Sequence, residues 1–419
     1  MKGEQRWRLA ASAAAFLFPA LSVGVANGYS MAAVFLLVVA LAATPQWWGK
    51  PVELRTAWQL VGAFLFMAAI WQLDGLRSDG GWRSVDKPVK FLLVLPCLFF
   101  LLRFPPRQAW LWAGIACGAV LAGLRGVYEI VWLHLPRAEG SINAIQFGDL
   151  SLLLGLMSIV GLMMWRPPQR KGLWAVLLSV GAAMGLLGSL LSQARGGWLA
   201  LVLLVPVMVL VKSRFLDRRF LLISGLIAML LGATLISVAA RQLGERLDRA
   251  RQEVEVYETT GNAESSVGQR LAHWKAAWRM GLEKPLLGWS QQGYEDEKKR
   301  MVEAGEVHPY ILQFTHAHNE FLDVFAKRGL LGLAALLALY LTPLLVFWPR
   351  KASAAASSSA AIVPLQLIGA LVPVGYIGFG LTQGFLGHNS GTMFLLFMTV
   401  LILGAIQGER KTASVQIAR

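Results

Sequence analysis

Twelve apolar stretches dominate this chain, at approximately 9–27, 30–44, 57–74, 88–103, 109–133, 143–165, 172–191, 196–212, 219–240, 320–348, 362–384 and 391–407. Crossing about 30 Å of hydrocarbon takes a helix of about twenty apolar residues. Lipid offers backbone groups no hydrogen bonds, so such spans must be helical or close into a barrel. At this length and apolarity the expectation is helices, and an all-α integral membrane protein. The second and fourth stretches are short, so they tilt little or re-enter. The first stretch follows Lys2, Arg6 and Arg8 and could be read as a signal peptide. A second apolar run begins at Ser30, which favours an uncleaved first helix. Of 419 residues only 15% are charged, which excludes an ordinary soluble protein and a disordered chain.

A net charge of +15 invites a nucleic-acid reading, but the placement of the charge argues against one. Basic residues cluster at every second connector: Lys50 and Arg55; Arg103 and Arg107; Arg166, Arg170 and Lys171; Lys212, Arg214, Arg218 and Arg219; Arg350 and Lys351; Arg410 and Lys411. With both termini placed in the cytoplasm, the inside segments hold 19 basic and four acidic residues, which accounts for the entire excess. That is the positive-inside pattern, and nucleic acid is not an expected partner. The two cysteines, Cys97 and Cys117, lie in apolar runs and read as packing residues.

Residues 241–319 interrupt this pattern with 11 basic and 12 acidic residues. A connection this long is not a passive loop. Helices are expected over 241–257 and 266–283, forming a small cap on the outer face. The division is therefore 1–240 with nine spans, 241–319 as the cap, and 320–419 with three spans and a cytoplasmic tail.

Polar groups at the outer face are the chemical candidates, because charge near lipid must be compensated. His316, His318 and Asn319 end the large loop. The bland alternative is that Asn319 or Thr315 caps the next helix. Two residues apart, the imidazoles should point to opposite sides in an extended segment, and diverge by about 200° on a helix. They are therefore not expected to share one proton-transfer site, and His316, like Asn319 and Gln146, is a supporting residue whose loss should leave substantial activity. Arg195 opens a helix after Ser192-Gln193-Ala194, with Gly196 and Gly197 behind it to let a ligand approach. Arg270 lies on an amphipathic helix, where a solvated face is the alternative. Arg125, inside span five, is a further candidate to bind the donor pyrophosphate, and could instead simply pair with Glu129. Asn143, Gln146 and Asp149 open span six beside the same mouth. Permanently charged arginines fork onto phosphate oxygens, and histidine is the usual base near neutral pH. No metal site and no cofactor are expected: there is no Asp-x-Asp pair, and the HxH lacks a third ligand at local spacing.

His318-Asn319, nine residues, then Gly329-x-x-Gly332, together with Arg195-Gly-Gly-Trp198, resembles the signature of bacterial O-antigen ligases and their superfamily relatives. The resemblance runs from about 140 to 400. It implies a GT-C-type, inverting, metal-independent glycosyltransferase at the periplasmic face of the inner membrane. The donor would be undecaprenyl-pyrophosphate-linked O-antigen and the acceptor lipid A-core. By motif, His318 would be the base, and Arg195 and Arg270 would bind the donor pyrophosphate, Arg270 by the weaker match. Some relatives need an acidic residue between the last two spans. Here that turn, Gly387-His-Asn-Ser-Gly391, holds none. Rival readings are an O-antigen polymerase or O-oligosaccharyltransferase of the same superfamily, and a transporter or flippase. The last would be expected to show internal repeats and intramembrane acids.

Overall fold

The computed structural model describes residues 2–50, 55–78, 85–213, 254–255, 266–349 and 356–417. These residues form helices and no strand. In chain order the helices are α1 (Lys2–Leu21), α2 (Gly28–Ala42), α3 (Thr44–Trp47), α4 (Arg55–Leu76), α5 (Asp86–Arg103), α6 (Gln108–Val131), α7 (Ala144–Met164), α8 (Lys171–Ser192) and α9 (Arg195–Ser213). They continue with α10 (Ser266–Glu283), α11 (Ser290–Glu303), a 3-10 turn (Pro309–Gln313), α12 (Glu320–Phe347), α13 (Ala356–Gly380) and α14 (Asn389–Ile417). Seven of the described helices are long and apolar enough to cross a membrane, and two more, Gly28–Ala42 and Gly196–Val211, are apolar but shorter. The expected span 219–240 lies outside the described residues, as does the helix expected over 241–257 apart from residues 254–255.

Sequence chemistry explains the packing. In lipid, helices associate by close approach of small residues rather than by hydrophobic exclusion. Helices α7 and α8 do this: a Cβ on Gly185 would sit 2.7 Å from the Gly155 Cα, so the two backbones touch. Helices α1, α6, α7 and α8 form one packed group. Helix α13 runs against α7, α9, α12 and α14, and α12 packs on α4. Large apolar side chains such as Val176, Val202 and Leu345 remain exposed around the bundle, as expected of lipid-facing positions.

The connectors sort to two ends. At one, Glu4 pairs with Arg8 at 3.1 Å and with Arg103 at 3.8 Å, and Lys411 donates to the Leu102 carbonyl. At the other end lie α10 and α11, which share a small core of Ala272, Ala276, Met280, Tyr294, Met301 and Ile311. This polar unit is locked onto the bundle by backbone. The Trp289 N–H donates to the Ala326 carbonyl, and the Leu330 and Leu331 N–H groups donate to Pro285 and Leu286. Those bonds require a break in α12, which falls at Gly329 (φ 63°, ψ −160°). A side chain there would strike the Leu286 backbone, and one on Gly288 (φ 62°) would strike the Arg328 backbone. The first glycine of Gly329-x-x-Gly332 thus receives the α10–α11 connection, a conformation glycine adopts without strain.

Candidate functional site

The segment 314–319 is irregular, so its backbone groups need partners from elsewhere. Buried charges supply them. Asp323 accepts from the Ala317 N–H at 2.9 Å, and Lys327 donates to the Thr315 carbonyl at 2.8 Å while pairing with Asp323 at 2.8 Å. Lys298 donates to the Ile311 and Phe314 carbonyls. Asn319 caps α12, accepting from the Phe321 and Leu322 N–H groups at 3.0 and 3.1 Å. The capping role set beside Asn319 is therefore real, and it orients the histidines that precede it.

Those histidines do not diverge. His318 has φ 50°, in the left-handed region, and this reverses the alternation expected of an extended segment. The two rings come to 4.3 Å between centroids. His316 Nε2 lies 3.3 Å and His318 Nδ1 3.1 Å from one oxygen, Gln383 Oε1. The expectation of opposed imidazoles is corrected: one backbone dihedral folds both onto a shared acceptor. Phe314 packs edge-on to His318 at 4.6 Å, and fully buried His273 of α10 lies 5.8 Å away. His388 stands 6.4 Å from His316 on the other side.

Burial sets their protonation, since a desolvated imidazolium is costly. It pushes His316 down to about 4, with His318 adding to the effect, and His273 down to about 3. His318 is also held below its ordinary value by burial; the Gln383 hydrogen bond opposes this and the Arg270 guanidinium reinforces it. Arg270 is thus close enough to act electrostatically on His318. His388 is lowered by burial as well. All four rings are neutral near pH 7.

A cavity of about 450 Å³ opens on the His316 side, lined in part by Lys87, Gln291, Glu320, Asp323 and Arg328. Its far wall is a buried pair, Asp74 with Arg328 at 2.6 Å, and Asp74 also accepts from the Gln291 N–H at 2.9 Å. Lys87 donates to the Leu386 and Gly387 carbonyls. Among the described residues, no three His, Cys, Asp or Glu side chains converge to hold a metal ion.

Of the other sequence candidates, Gln146 and the first turn of α9 abut the turn that carries Gln383, while Arg125 pairs elsewhere. Arg195 is the first residue of α9. The room left by its two glycines is not held open for a ligand: a Cβ on Gly196 would meet Thr382, and one on Gly197 would meet the Asp149 carboxylate. Arg125 pairs with Glu129 at 2.7 Å, and Glu129 also accepts from the Glu139 and Gly140 N–H groups at 2.7 and 2.9 Å. The i,i+4 alternative holds at that position. Gln146 is buried, donating to the Phe385 carbonyl and accepting from Ser390 at 2.7 Å. It therefore ties α7 to the turn that carries Gln383.

Gln383, Lys87 and the Asp74–Arg328 pair were invisible to the sequence reading. Each meets its partner across a long chain separation, and none has a spacing signal. Glu320, next to Asn319, reaches the last turn, accepting from the Leu386 N–H at 2.9 Å.

Fold and site together define a multi-pass membrane protein, helical and without strands among its described residues, whose histidine cluster lies at one end of the bundle. Residues 180–337 match the model of the O-antigen ligase family. A Haemophilus influenzae protein, described as an uncharacterized protein, is 27% identical over 343 residues, covering 80% of this chain and 83% of its own length. Over residues 180–337 the chain is thus similar to members of the O-antigen ligase family. The matched stretch contains Arg195, Arg270, His316 and His318, and excludes Lys87, Gln146 and Gln383.

Proposed function

We propose that this protein is an inverting, metal-independent glycosyltransferase that joins O-antigen polysaccharide from undecaprenyl pyrophosphate to lipid A-core. The observation that carries the reading is the neutral His316–His318 pair beside Arg270, within the stretch that matches the O-antigen ligase family. In this reading His318 takes the acceptor hydroxyl's proton as that oxygen attacks the anomeric carbon. The bond to pyrophosphate breaks on the opposite face, and Arg195 and Arg270 stabilise the charge that develops there. A sugar hydroxyl is too weak an acid to ionise first, so a neutral base at the reacting oxygen is what the step needs. Gln146 and Asn319 support the loops around the site, and Arg125 serves the fold of the outer connection.

The same proposal has twelve spans with both termini cytoplasmic, residues 241–319 as a periplasmic cap between 1–240 and 320–419, and the site at the periplasmic face of the inner membrane. The clustering of Glu4, Arg8, Arg103 and Lys411 at the opposite end supports that phasing. Purified protein given undecaprenyl-pyrophosphate glycan and lipid A-core should yield the joined product in the presence of a chelator. Chain elongation without lipid A-core would assign the polymerase activity instead. A requirement for Mg²⁺ or Mn²⁺ would overturn the metal-independent mechanism. Reporter fusions within 241–319 should read periplasmic, and a cytoplasmic signal there would overturn the topology.

A further inference from the structure

We propose that Gln383 is a positioning residue that sets the tautomers of the histidine pair, holding the His318 proton on Nδ1 and leaving its Nε2 free as the base. The chemical use of that lone pair rests on the glycosyltransferase reading above; the tautomer does not.

The tautomers follow from which way the Gln383 amide faces, and here its oxygen faces the rings. An amide oxygen only accepts, and Gln383 Oε1 faces both His316 Nε2 at 3.3 Å and His318 Nδ1 at 3.1 Å. A ring nitrogen bearing a lone pair would there oppose the oxygen's own lone pairs, so each of these nitrogens carries hydrogen. Neutral imidazole has one N–H. His318 therefore keeps Nε2 unprotonated, and His316 keeps Nδ1 unprotonated. The two rings are made inequivalent by one oxygen, and only His318 offers Nε2 as a base.

The turn that carries the amide is anchored. Gln383 is 4% exposed, in the turn between α13 and α14. Asn319 donates to the Leu381 carbonyl at 3.3 Å, the Leu386 N–H donates to Glu320, and Gln146 donates to the Phe385 carbonyl. The groups that cap and follow His318 thus also anchor Gln383, which couples base and acceptor in one unit. An amide suits the position better than a carboxylate. Glutamate would draw both rings toward imidazolium and consume the base. The charged and titratable groups facing the pair are Arg270 and His273 of α10, Lys298 of α11, Asp323 and Lys327 of α12, and His388.

In the transfer step the acceptor O–H bond breaks and an Nε2–H bond forms. The acceptor oxygen bonds the anomeric carbon as the carbon–pyrophosphate oxygen bond breaks. Gln383 Oε1 accepts from Nδ1–H throughout, so it orients the imidazolium without taking its proton, as the orienting group of a triad does.

Full-length protein with ¹⁵N-labelled histidine, in lipid nanodiscs at pH 7, provides the test. The His318 signal, identified by its loss in His318→Ala, should show the Nδ1–H tautomer; an Nε2–H tautomer overturns the proposal. Gln383→Leu should allow both tautomers and lower transfer about 10- to 10²-fold with donor binding unchanged. Gln383→Glu should move the acidic limb of the rate profile up by about one pH unit, since an adjacent opposite charge favours the protonated ring. An unmoved limb, or an unchanged His318 tautomer in Gln383→Leu, overturns it. Correct tautomers in a protein that joins no glycan would instead refute the glycosyltransferase reading.

Discussion

Two polar clusters terminate helices of the same bundle, and they differ in whether their bonding is closed. At the end of α6, Glu129 accepts from Arg125, Glu139 and Gly140, so one carboxylate satisfies a cation and two backbone amides. At the start of α12, the charges of Asp323 and Lys327 are likewise spent on backbone. The histidines they support, however, keep unprotonated nitrogens, and His316 lines a 450 Å³ cavity. A charge near lipid is costly in both places. The first cluster removes the cost by internal pairing. The second leaves capacity for something that arrives later. Bonding closure distinguishes the paired arginine from the open histidine pair where residue type does not.

Several substitutions would break or sharpen that contrast. The largest effect is expected for His318→Ala, which should lower transfer by about 10²- to 10⁴-fold while a filter assay still registers lipid-pyrophosphate donor binding. Survival of transfer would erase the distinction between the clusters. His316→Ala should cost less, but it shares Gln383 with His318, so it should lower transfer measurably while leaving substantial activity.

Arg195→Lys and Arg270→Lys come next. A point charge does not reproduce a bidentate fork, and each lost contact would remove about 2–4 kcal/mol of transition-state stabilisation. Full turnover in either lysine variant would return that arginine to the structural class.

A smaller effect is expected on the pH profile. The His318 imidazole is held below its ordinary value, so the neutral base persists into more acidic solution than free histidine allows. Activity should fall only as pH drops below the ordinary histidine range of about 6.5. An acidic limb at or above it would contradict the burial argument.

The closed cluster supplies the smallest effects on chemistry. Glu129→Ala should destabilise the protein by about 1–3 kcal/mol, because its buried carboxylate satisfies Arg125 and two backbone amides at once, and thermal unfolding would register it. Arg125→Gln should change transfer less than about threefold, since its guanidinium is partly exposed and already paired with Glu129. A large loss of transfer in Arg125→Gln would move that arginine into the reacting site.

The helices were legible because apolar length and charge phasing are local properties. Helices occupy every expected stretch among the described residues, and Ser266–Glu283 matches its expected range. The Arg125–Glu129 pair was legible for the same reason, as a contact between neighbours one turn apart. The histidine pair was legible as chemistry but not as geometry: a left-handed φ at a non-glycine residue carries no reliable sequence signal.

What the sequence determined by itself is therefore whatever depends on periodicity, length and charge along one segment: a helical membrane protein, the polar unit between its ninth and tenth apolar stretches, and its histidine and arginine candidates. Tertiary structure alone decided which candidates meet. Gln383 lies 65 residues from His318, and Gln146 lies 244 from Ser390, yet each pair is within hydrogen-bonding distance. Lipid provides no water to satisfy stray polar groups, so each must find a partner on another helix. The choice of partner follows from how the helices pack, which no single segment encodes.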